Sequence, residues 1–262
     1  MIDAWEWATG IVDWAVGDWS HPGEPDRGIL ARLVEHMRLS YVSILIGLVI
    51  ALPLGVACVR WSPVYPPVLT GVNVLYAVPS IALFFLMLPY TGFSDWTAII
   101  PLALYTLVIL LPNVVDGLRQ VPEHVRQAAV AMGFGPMRRL VFVELPVAVP
   151  VIIAGLRVAS VATISMVSVA SLVGLGGLGQ LIVSEGFRRR FDDPIVVGIV
   201  LTVVLALVTD ALLVIAQRLL TPWAHAGKGL LARKRAARAE ATAVAGDAAV
   251  TSGTVSDHRE SP

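Results

Sequence analysis

Residues 127–146, QAAVAMGFGPMRRLVFVELP, lie between two long apolar stretches and form a polar, basic interruption in the middle of the chain. A membrane protein that keeps such a segment in water has a use for it there, so the stretch predicts a surface that contacts a partner. It contains an alanine pair, then a glycine and, after nine further residues, the sequence Val-Glu-Leu-Pro. These residues are Ala128, Ala129, Gly133, Val143, Glu144, Leu145 and Pro146.

The composition is that of an integral membrane protein. Of the 262 residues, 56% are hydrophobic and only 15% are charged, whereas soluble domains carry about 25% charged residues. The formal net charge is zero, so nothing suggests a nucleic-acid partner. The single cysteine, Cys58, cannot form a disulfide within the chain and is expected to pack as a small hydrophobic residue.

Five apolar stretches are long enough to cross a bilayer core of roughly 30 Å as helices. They predict an all-α membrane protein, and the prolines within or near the ends of the spans predict kinks. The membrane domain is expected over 35–222, with a polar loop at 117–146. The predicted spans are about 39–59, 68–89, 96–115, 147–172 and 194–217.

The regions outside the spans set the expected orientation. Residues 1–20 contain acids and tryptophans and no Lys or Arg. The segment 1–34 is therefore predicted to be external and amphipathic, with a sixth membrane segment within 1–20 as the alternative. Residues 223–262 predict a largely disordered tail. If that tail is cytoplasmic, its side of the membrane carries about twice as many basic residues as the other, which favours N-out/C-in.

Local signals predict two short helices in the polar loop. Pro122 followed by an acidic residue is typical of a helix start, and Gly133 is expected to end that helix. A second helix is predicted from about 137 to 144, before the next span begins at Pro146. The small residues of the alanine pair permit close approach of a partner, although an ordinary loop built from helix-forming residues is the alternative.

The spacing of this loop resembles the EAA loop of bacterial ABC-importer permeases. In this chain, three residues separate the Ala-Ala pair from a Gly, and nine more separate that Gly from Val-x-Leu-Pro. The family's loop forms coupling helices that seat in an ATPase subunit, so the resemblance places ATP and Mg in a partner and no cofactor in this chain. The family's usual glutamate is a glutamine here, which removes one charge. The residues that the resemblance assigns to this surface are Gln127, Ala128, Ala129, Gly133, Val143, Leu145 and Pro146.

The resemblance covers about residues 35–222 and implies the type I ABC-importer permease fold. The stretches 76–92, 154–165 and 170–182 look like the permeases of osmoprotectant importers, which carry glycine betaine, carnitine, choline or proline betaine. Permeases for methionine or other amino acids share the fold and the loop and are the alternative. The family implies cytoplasmic ATPase subunits, a second permease subunit (identical or related) and an extracytoplasmic solute-binding protein at the bacterial cell membrane.

Polar residues inside the spans are candidates for the solute path or for helix packing. In the fourth span, hydroxyl residues share one face of the helix, where they either bond to neighbouring helices or line a path. The same two roles are open for a tyrosine, a proline and a serine of the second span. These candidates are Ser160, Thr163, Ser168 and Ser171, and Tyr76, Pro79 and Ser80.

Two charges lie within predicted spans. Arg157 and Asp210 are about 16 Å and about 12 Å from the same end of their helices, at 1.5 Å per residue. Because unpaired charges are costly in a membrane, these residues predict an ion pair between the fourth and fifth spans. The alternative is that Arg157 contacts helix carbonyls while Asp210 faces a cavity.

A glycine-rich stretch follows the fourth span. It formally matches GxGxxG, but a nucleotide fingerprint follows a short strand within a βαβ unit, and this one follows a long apolar segment. It is predicted to be an external turn, and the resemblance puts it near the docking site of the solute-binding protein. Its residues are Gly174, Gly176, Gly177 and Gly179.

Two other classes of protein fit the sequence less well. A secondary transporter is expected to show an inverted repeat and several acids at the midplane, and the chain shows one candidate acid and no repeat. A membrane enzyme needs clustered catalytic groups or metal ligands, and the sequence shows no such spacing. It also has no Walker A motif, so no nucleotide site is expected in this chain.

Overall fold

The computed structural model describes residues 4–19 and 28–222, with the backbone alone for 4–8. The described residues up to Gln217 belong to one compact unit. Within the described ranges the chain is helical and contains no strand. The helices are α1 (Ala4–Gly17), α2 (Ile29–Arg60), α3 (Tyr65–Ala77), α4 (Ser80–Thr91), α5 (Asp95–Arg119), α6 (Glu123–Ala131), α7 (Pro136–Arg139), α8 (Leu145–Ala170) and α9 (Asp192–Leu220). The predicted tail, 223–262, lies outside the described residues.

Helix α5 packs between α2 and α8, and these three helices form the centre of the fold. Glycines stand where the helices cross. A Cβ atom at Gly55 would lie 2.5 Å from Cγ1 of Val114, and one at Gly155 would lie 2.4 Å from Cγ of Asn113. Without those Cβ atoms the backbones approach closely, which is how membrane helices gain packing contacts in the absence of a hydrophobic drive between them.

Four helical segments are long and apolar enough to cross a membrane: α2, α5, the continuous segment Pro136–Val173, and α9. They contain four of the five predicted spans. Helix α2 starts at Ile29, so the boundary predicted at 34/35 lies inside this helix rather than before it. Helix α1 has 14 residues and is therefore about 21 Å long, which is shorter than a bilayer core.

The span predicted at 68–89 is not one helix. Helices α3 and α4 meet at a break with a bend of 91°, where Val78 has extended backbone dihedrals (φ −71°, ψ 128°). A proline disfavours helical dihedrals in the residue before it and lacks an N–H to donate, and Pro79 follows Val78 here. The stretch is therefore two helices that meet at a sharp break, and the pair is either a broken span or a re-entrant loop.

The second loop helix and the fourth span are continuous. Helix α7 runs into a π-helical stretch, Leu140–Glu144, and then directly into α8. The expectation that a new helix begins at Pro146 was wrong. The wider π turn just before this proline provides room for its ring, which otherwise clashes with the preceding turn of an α-helix.

Candidate functional site

The polar loop places α6 and α7 at one end of the bundle, here called the loop end. Helix α6 ends in a two-hydrogen-bond cap around Gly133. The Gly133 amide donates to the Val130 carbonyl (2.9 Å) and the Phe134 amide donates to the Ala129 carbonyl (3.0 Å). This is the Schellman arrangement, which requires a left-handed residue at its centre, and Gly133 has φ +80°. The predicted glycine stop thus corresponds to a defined cap.

The loop residues differ in how far they are exposed. Gln127 and Ala128 are exposed on α6, whereas Ala129 is fully buried against the rest of the chain. Ala129 was expected on the contact face together with Ala128, and the structure corrects this: Ala129 lies about 100° further around the helix, on the side that packs against the rest of the chain. Large apolar side chains are also exposed here, namely Val130, Met132, Met137 and Phe142.

One buried carboxylate, that of Glu144, lies where the loop meets the bundle. Glu144 is 8% exposed, and its Oε1 accepts a hydrogen bond from Arg139 Nε at 2.7 Å. Arg126 Nε lies 3.8 Å from the same oxygen, and Arg126 Nη2 donates to the Leu118 carbonyl at 2.7 Å. The side chain of Arg126 therefore ties α6 to the end of α5. Of the other predicted loop residues, Val143, Leu145 and Pro146 are partly buried beside this carboxylate.

None of the four candidate hydroxyl residues of the fourth span is exposed; three belong to α8, and Ser171 follows its last residue. Thr163 Oγ1 is 2.9 Å from Thr106 Oγ1 of α5, and Ser160 and Thr163 are each 2% exposed. Ser171 donates to the Ser168 carbonyl at 2.7 Å. Of the two roles left open by the sequence, these positions favour helix packing.

Arg157 and Asp210 lie side by side. Arg157 Nε and Nη2 donate to the two carboxylate oxygens of Asp210 at 2.7 and 2.8 Å. Such paired parallel bonds fix the geometry of both side chains. The side chains are 35% and 31% exposed, so the pair lies at the border of the bundle. The same stretch of α9 is joined to α2 where Tyr41 Oη lies 2.8 Å from Thr209 Oγ1.

The break between α3 and α4 is closed by a tyrosine. The Tyr105 hydroxyl donates a hydrogen bond to the carbonyl of Val78. Its ring packs edge-on against Tyr76, with ring centroids 5.8 Å apart. Tyr76 and Pro79 are exposed and Ser80 is half-buried, so these three candidates surround an accessible bend.

Sequence comparison identifies the family of this bundle. Residues 38–222 match the family described as "Binding-protein-dependent transport system inner membrane component".

The chain belongs to this family.

It is thus an importer permease subunit of the bacterial cell membrane, and ATP hydrolysis takes place in a partner subunit rather than in this chain.

Named relatives and solved structures agree with this assignment. The permease is 32% identical over 194 residues to the "Choline transport system permease protein OpuBB" of Bacillus subtilis (74% of this chain, 89% of that protein). It is 35% identical over 201 residues to the "Osmoprotectant import permease protein OsmW" of Salmonella typhimurium (74% and 93%). A structure titled "Inward facing conformations of the MetNI methionine ABC transporter" matches with a TM-score of 0.67 and 25% identity, over 74% of this chain and 96% of that one.

At the other end of the permease, here called the turn end, the glycine-rich stretch packs onto the start of α2. Gly174 (φ +80°) and Gly177 (φ +88°) are left-handed. The Gly177 amide donates to Glu35 Oε2 at 2.8 Å. A Cβ atom at Gly176 would lie 1.7 Å from Glu35 Oε1, and one at Gly179 would lie 2.5 Å from the Ser168 carbonyl. The predicted turn is therefore a packed element rather than a free loop.

Three polar residues at the start of α2 were missed by the sequence reasoning. Besides Glu35, buried His36 accepts from the Leu178 amide at Nδ1 (3.2 Å), so its Nε2 is the atom that donates to the Ile164 carbonyl (3.0 Å). Arg32 donates to Glu185 at 2.9 Å. Each looks like an ordinary polar residue before a span, and their partners lie more than 100 residues away, so no local signal could have found them.

Proposed function

We propose that this chain is the membrane permease of an ATP-driven importer for osmoprotectants of the glycine betaine, carnitine, choline and proline betaine class. The observation that carries the substrate class is the set of relatives at 30% identity or more, whose names specify choline, carnitine, glycine betaine or osmoprotectants. Methionine or another amino acid is the second candidate, because the methionine transporter shares the fold at 25% identity.

The loop end is the proposed coupling surface for the ATPase. It would face the cytoplasm, in an N-out/C-in arrangement, because the basic residues are more numerous on that side. Gln127, Ala128 and the exposed apolar side chains around Gly133 supply the contact surface. Since α7 continues into α8 without a break, a displacement of the loop by the ATPase moves the end of a membrane helix directly.

The transport cycle then follows as an alternating-access equilibrium. Two permease subunits, identical or related, enclose the path at their interface, and a binding protein delivers solute on the opposite side. ATP binding shifts the two permease subunits between inward-open and outward-open states, because the ATP-bound ATPase binds one of these states more tightly than the other. The glycine-rich turn, packed at the turn end, is the proposed neighbourhood of the binding protein.

Two measurements separate the parts of this proposal. The chain is expressed with a candidate ATPase subunit and a candidate binding protein, and the co-purified assembly is placed in proteoliposomes. We expect choline or glycine betaine, delivered by the binding protein, to stimulate ATP hydrolysis and to accumulate inside the vesicles. Stimulation by methionine alone would assign the importer to the second candidate. If no ATPase subunit co-purified with the wild-type chain, the coupling role itself would be refuted.

A further inference from the structure

A basic cavity that opens to the surface lies at the loop end of the permease. It has a volume of about 520 Å³ and is bounded by the last turns of α2 and α5 and by the segment from 136 to 144. Cavities of a few hundred Å³ are the size that accommodates small ligands. One wall is apolar and is formed by Val56, Val59 and Leu118.

The charged groups of the cavity are strongly unbalanced. Three arginines, Arg60, Arg126 and Arg139, face it together with one carboxylate, Glu144. We call this site the arginine pocket. Glu144 bonds closely only to Arg139 (2.7 Å), and its oxygen is 3.8 Å from Arg126 Nε, which exceeds the length of a hydrogen bond. Among the described residues, the only other acid within 4.0 Å of these arginines is Glu123, whose Oε2 lies 4.0 Å from Nη1 of Arg126.

Several guanidinium donors of the pocket are unused. Arg126 Nε is buried and has no hydrogen-bond partner. Arg60 ends α2, is exposed, and forms no ion pair with any residue that the structure describes. A guanidinium has five N–H donors in a planar fork that fits the oxygens of a carboxylate or a phosphate. An unused buried donor beside excess positive charge is the arrangement that an anion with several acceptor oxygens would complete.

The position of the pocket indicates where that anion comes from. Arg60 is followed by Trp61, which is 58% exposed, and tryptophans of this kind mark the membrane–water interface. Basic pockets at the ends of membrane helices on the cytoplasmic side bind phosphate-bearing lipid head groups. An apolar wall next to the arginines suits a ligand with both a phosphate and a hydrocarbon part.

We propose that the arginine pocket binds the phosphate of an anionic membrane lipid. The phosphate bonds to Arg60 of α2 and to Arg126 and Arg139 of the polar loop, and thereby ties the loop to the end of α2. Among the residues that the structure describes, helix α2 forms no ion pair with the loop, so the bound phosphate is a bridge between two elements of the coupling region. This role is independent of which solute the importer carries.

The test measures lipid binding to the 262-residue chain, purified in a neutral detergent, without any transport or ATPase readout. Failure here is therefore distinguishable from failure of the proposed function. The probes are short-chain phosphatidylglycerol, the matching phosphatidylcholine and inorganic phosphate, each titrated calorimetrically. The variants are Arg60→Gln and Arg139→Gln. Arg138→Gln is the matched control, because Arg138 is adjacent in sequence, carries the same charge, and is exposed outside the pocket over the ring of Phe134.

We expect phosphatidylglycerol to bind at least about tenfold more tightly than phosphatidylcholine, because the zwitterion's ammonium opposes the basic pocket. Each pocket variant is expected to weaken phosphatidylglycerol by about tenfold, the effect of one lost charge-assisted hydrogen bond, and Arg138→Gln to leave it unchanged. Arg60 forms no ion pair with the described part of the chain, so Arg60→Gln is expected to fold normally even if Arg139→Gln does not. Size-exclusion chromatography and circular dichroism check this.

Three outcomes would overturn the proposal. Equal binding of the two lipids would remove the anion requirement. Equal loss in Arg60→Gln and Arg138→Gln would show a diffuse charge effect rather than a site. If inorganic phosphate bound as tightly as phosphatidylglycerol with the same dependence on Arg60, the pocket would be a site for a soluble phosphate and the lipid assignment would be wrong.

Discussion

Replacing Gly133 by alanine should loosen the turn between the two loop helices, and the structure provides both the magnitude and the control. Gly133 has φ +80°, and a Cβ atom there would meet nothing within 4 Å. The penalty of Gly133→Ala is thus conformational and not steric. A left-handed backbone costs a residue with a Cβ roughly 1–2 kcal/mol.

Gly135, two residues later, is the matched control. A Cβ atom there also meets nothing within 4 Å, but its backbone is extended, with φ −68° and ψ 165°, which alanine adopts freely. Gly135→Ala makes the same chemical change in the same exposed loop without the strain. The difference between the two variants therefore isolates the left-handed conformation.

Hydrogen exchange measures this difference directly. The amides of residue 133 and Phe134 close the cap at 2.9 and 3.0 Å, so they exchange only when the turn opens. A cost of about 1–2 kcal/mol increases the open fraction about 5- to 30-fold, and peptides covering 130–135 should exchange faster by that factor in Gly133→Ala and remain unchanged in Gly135→Ala. In the assembled importer, solute-stimulated ATP hydrolysis should fall in Gly133→Ala and remain at the wild-type level in Gly135→Ala.

Equal exchange rates in the two variants would show that the cap does not depend on a left-handed residue. A second contrary result would be a Gly133→Ala variant whose turn opens as expected while its solute-stimulated ATP hydrolysis stays at the wild-type level. In that case the cap would be structural, and coupling would not require it.

Three further changes should lower stability for different reasons. Asp210→Asn should lower the melting temperature in detergent by several degrees, since it leaves Arg157 without its carboxylate partner. Exchanging the two charged residues should recover part of this loss. An unchanged melting temperature in Asp210→Asn would show that the ion pair does not stabilise the fold. Gly55→Ala should lower the free energy of unfolding by about 1–3 kcal/mol because it overpacks a helix crossing. Gly71→Ala is the control: a Cβ atom there meets open space, so this variant should be as stable as the wild type or more stable in the same unfolding assay. Thr163→Val should cost about 0.6 kcal/mol, the average for a hydrogen bond between membrane helices, and a cost above about 2 kcal/mol would indicate a larger role than packing.

The features that sequence reasoning located are those with a strong local or energetic signal. Arg157 and Asp210 were placed near each other because a low-dielectric membrane makes lone charges costly and because helical rise converts residue counts into depth. Gly133 was identified as a helix end because few other residues adopt the left-handed region. In each case the residue type and its surroundings, a charge inside a membrane span or a glycine at a helix end, leave few possible local structures.

The bend at Pro79 shows what the sequence could not determine. Pro53, Pro101 and Pro112 also lie in apolar stretches, and each remains inside an intact helix. At Val78 the freed carbonyl has a partner in the Tyr105 hydroxyl, from a different helix. The break thus coincides with a contact from α5, which no local pattern reports. The inward direction of Ala129 was missed for the same reason.

The uninterrupted run from Pro136 to Val173 has a consequence for how this chain tolerates insertions and deletions. Every residue added to or removed from such a rod turns everything beyond it by about 100° around the helix axis and shifts it by about 1.5 Å. A single-residue deletion near Pro146 would thus leave both the loop helices and the membrane helix intact, yet orient the loop to the wrong side. The length of this segment is therefore constrained more tightly than its individual side chains, and loss of three or four residues together, close to one full turn, should be better tolerated than loss of one or two.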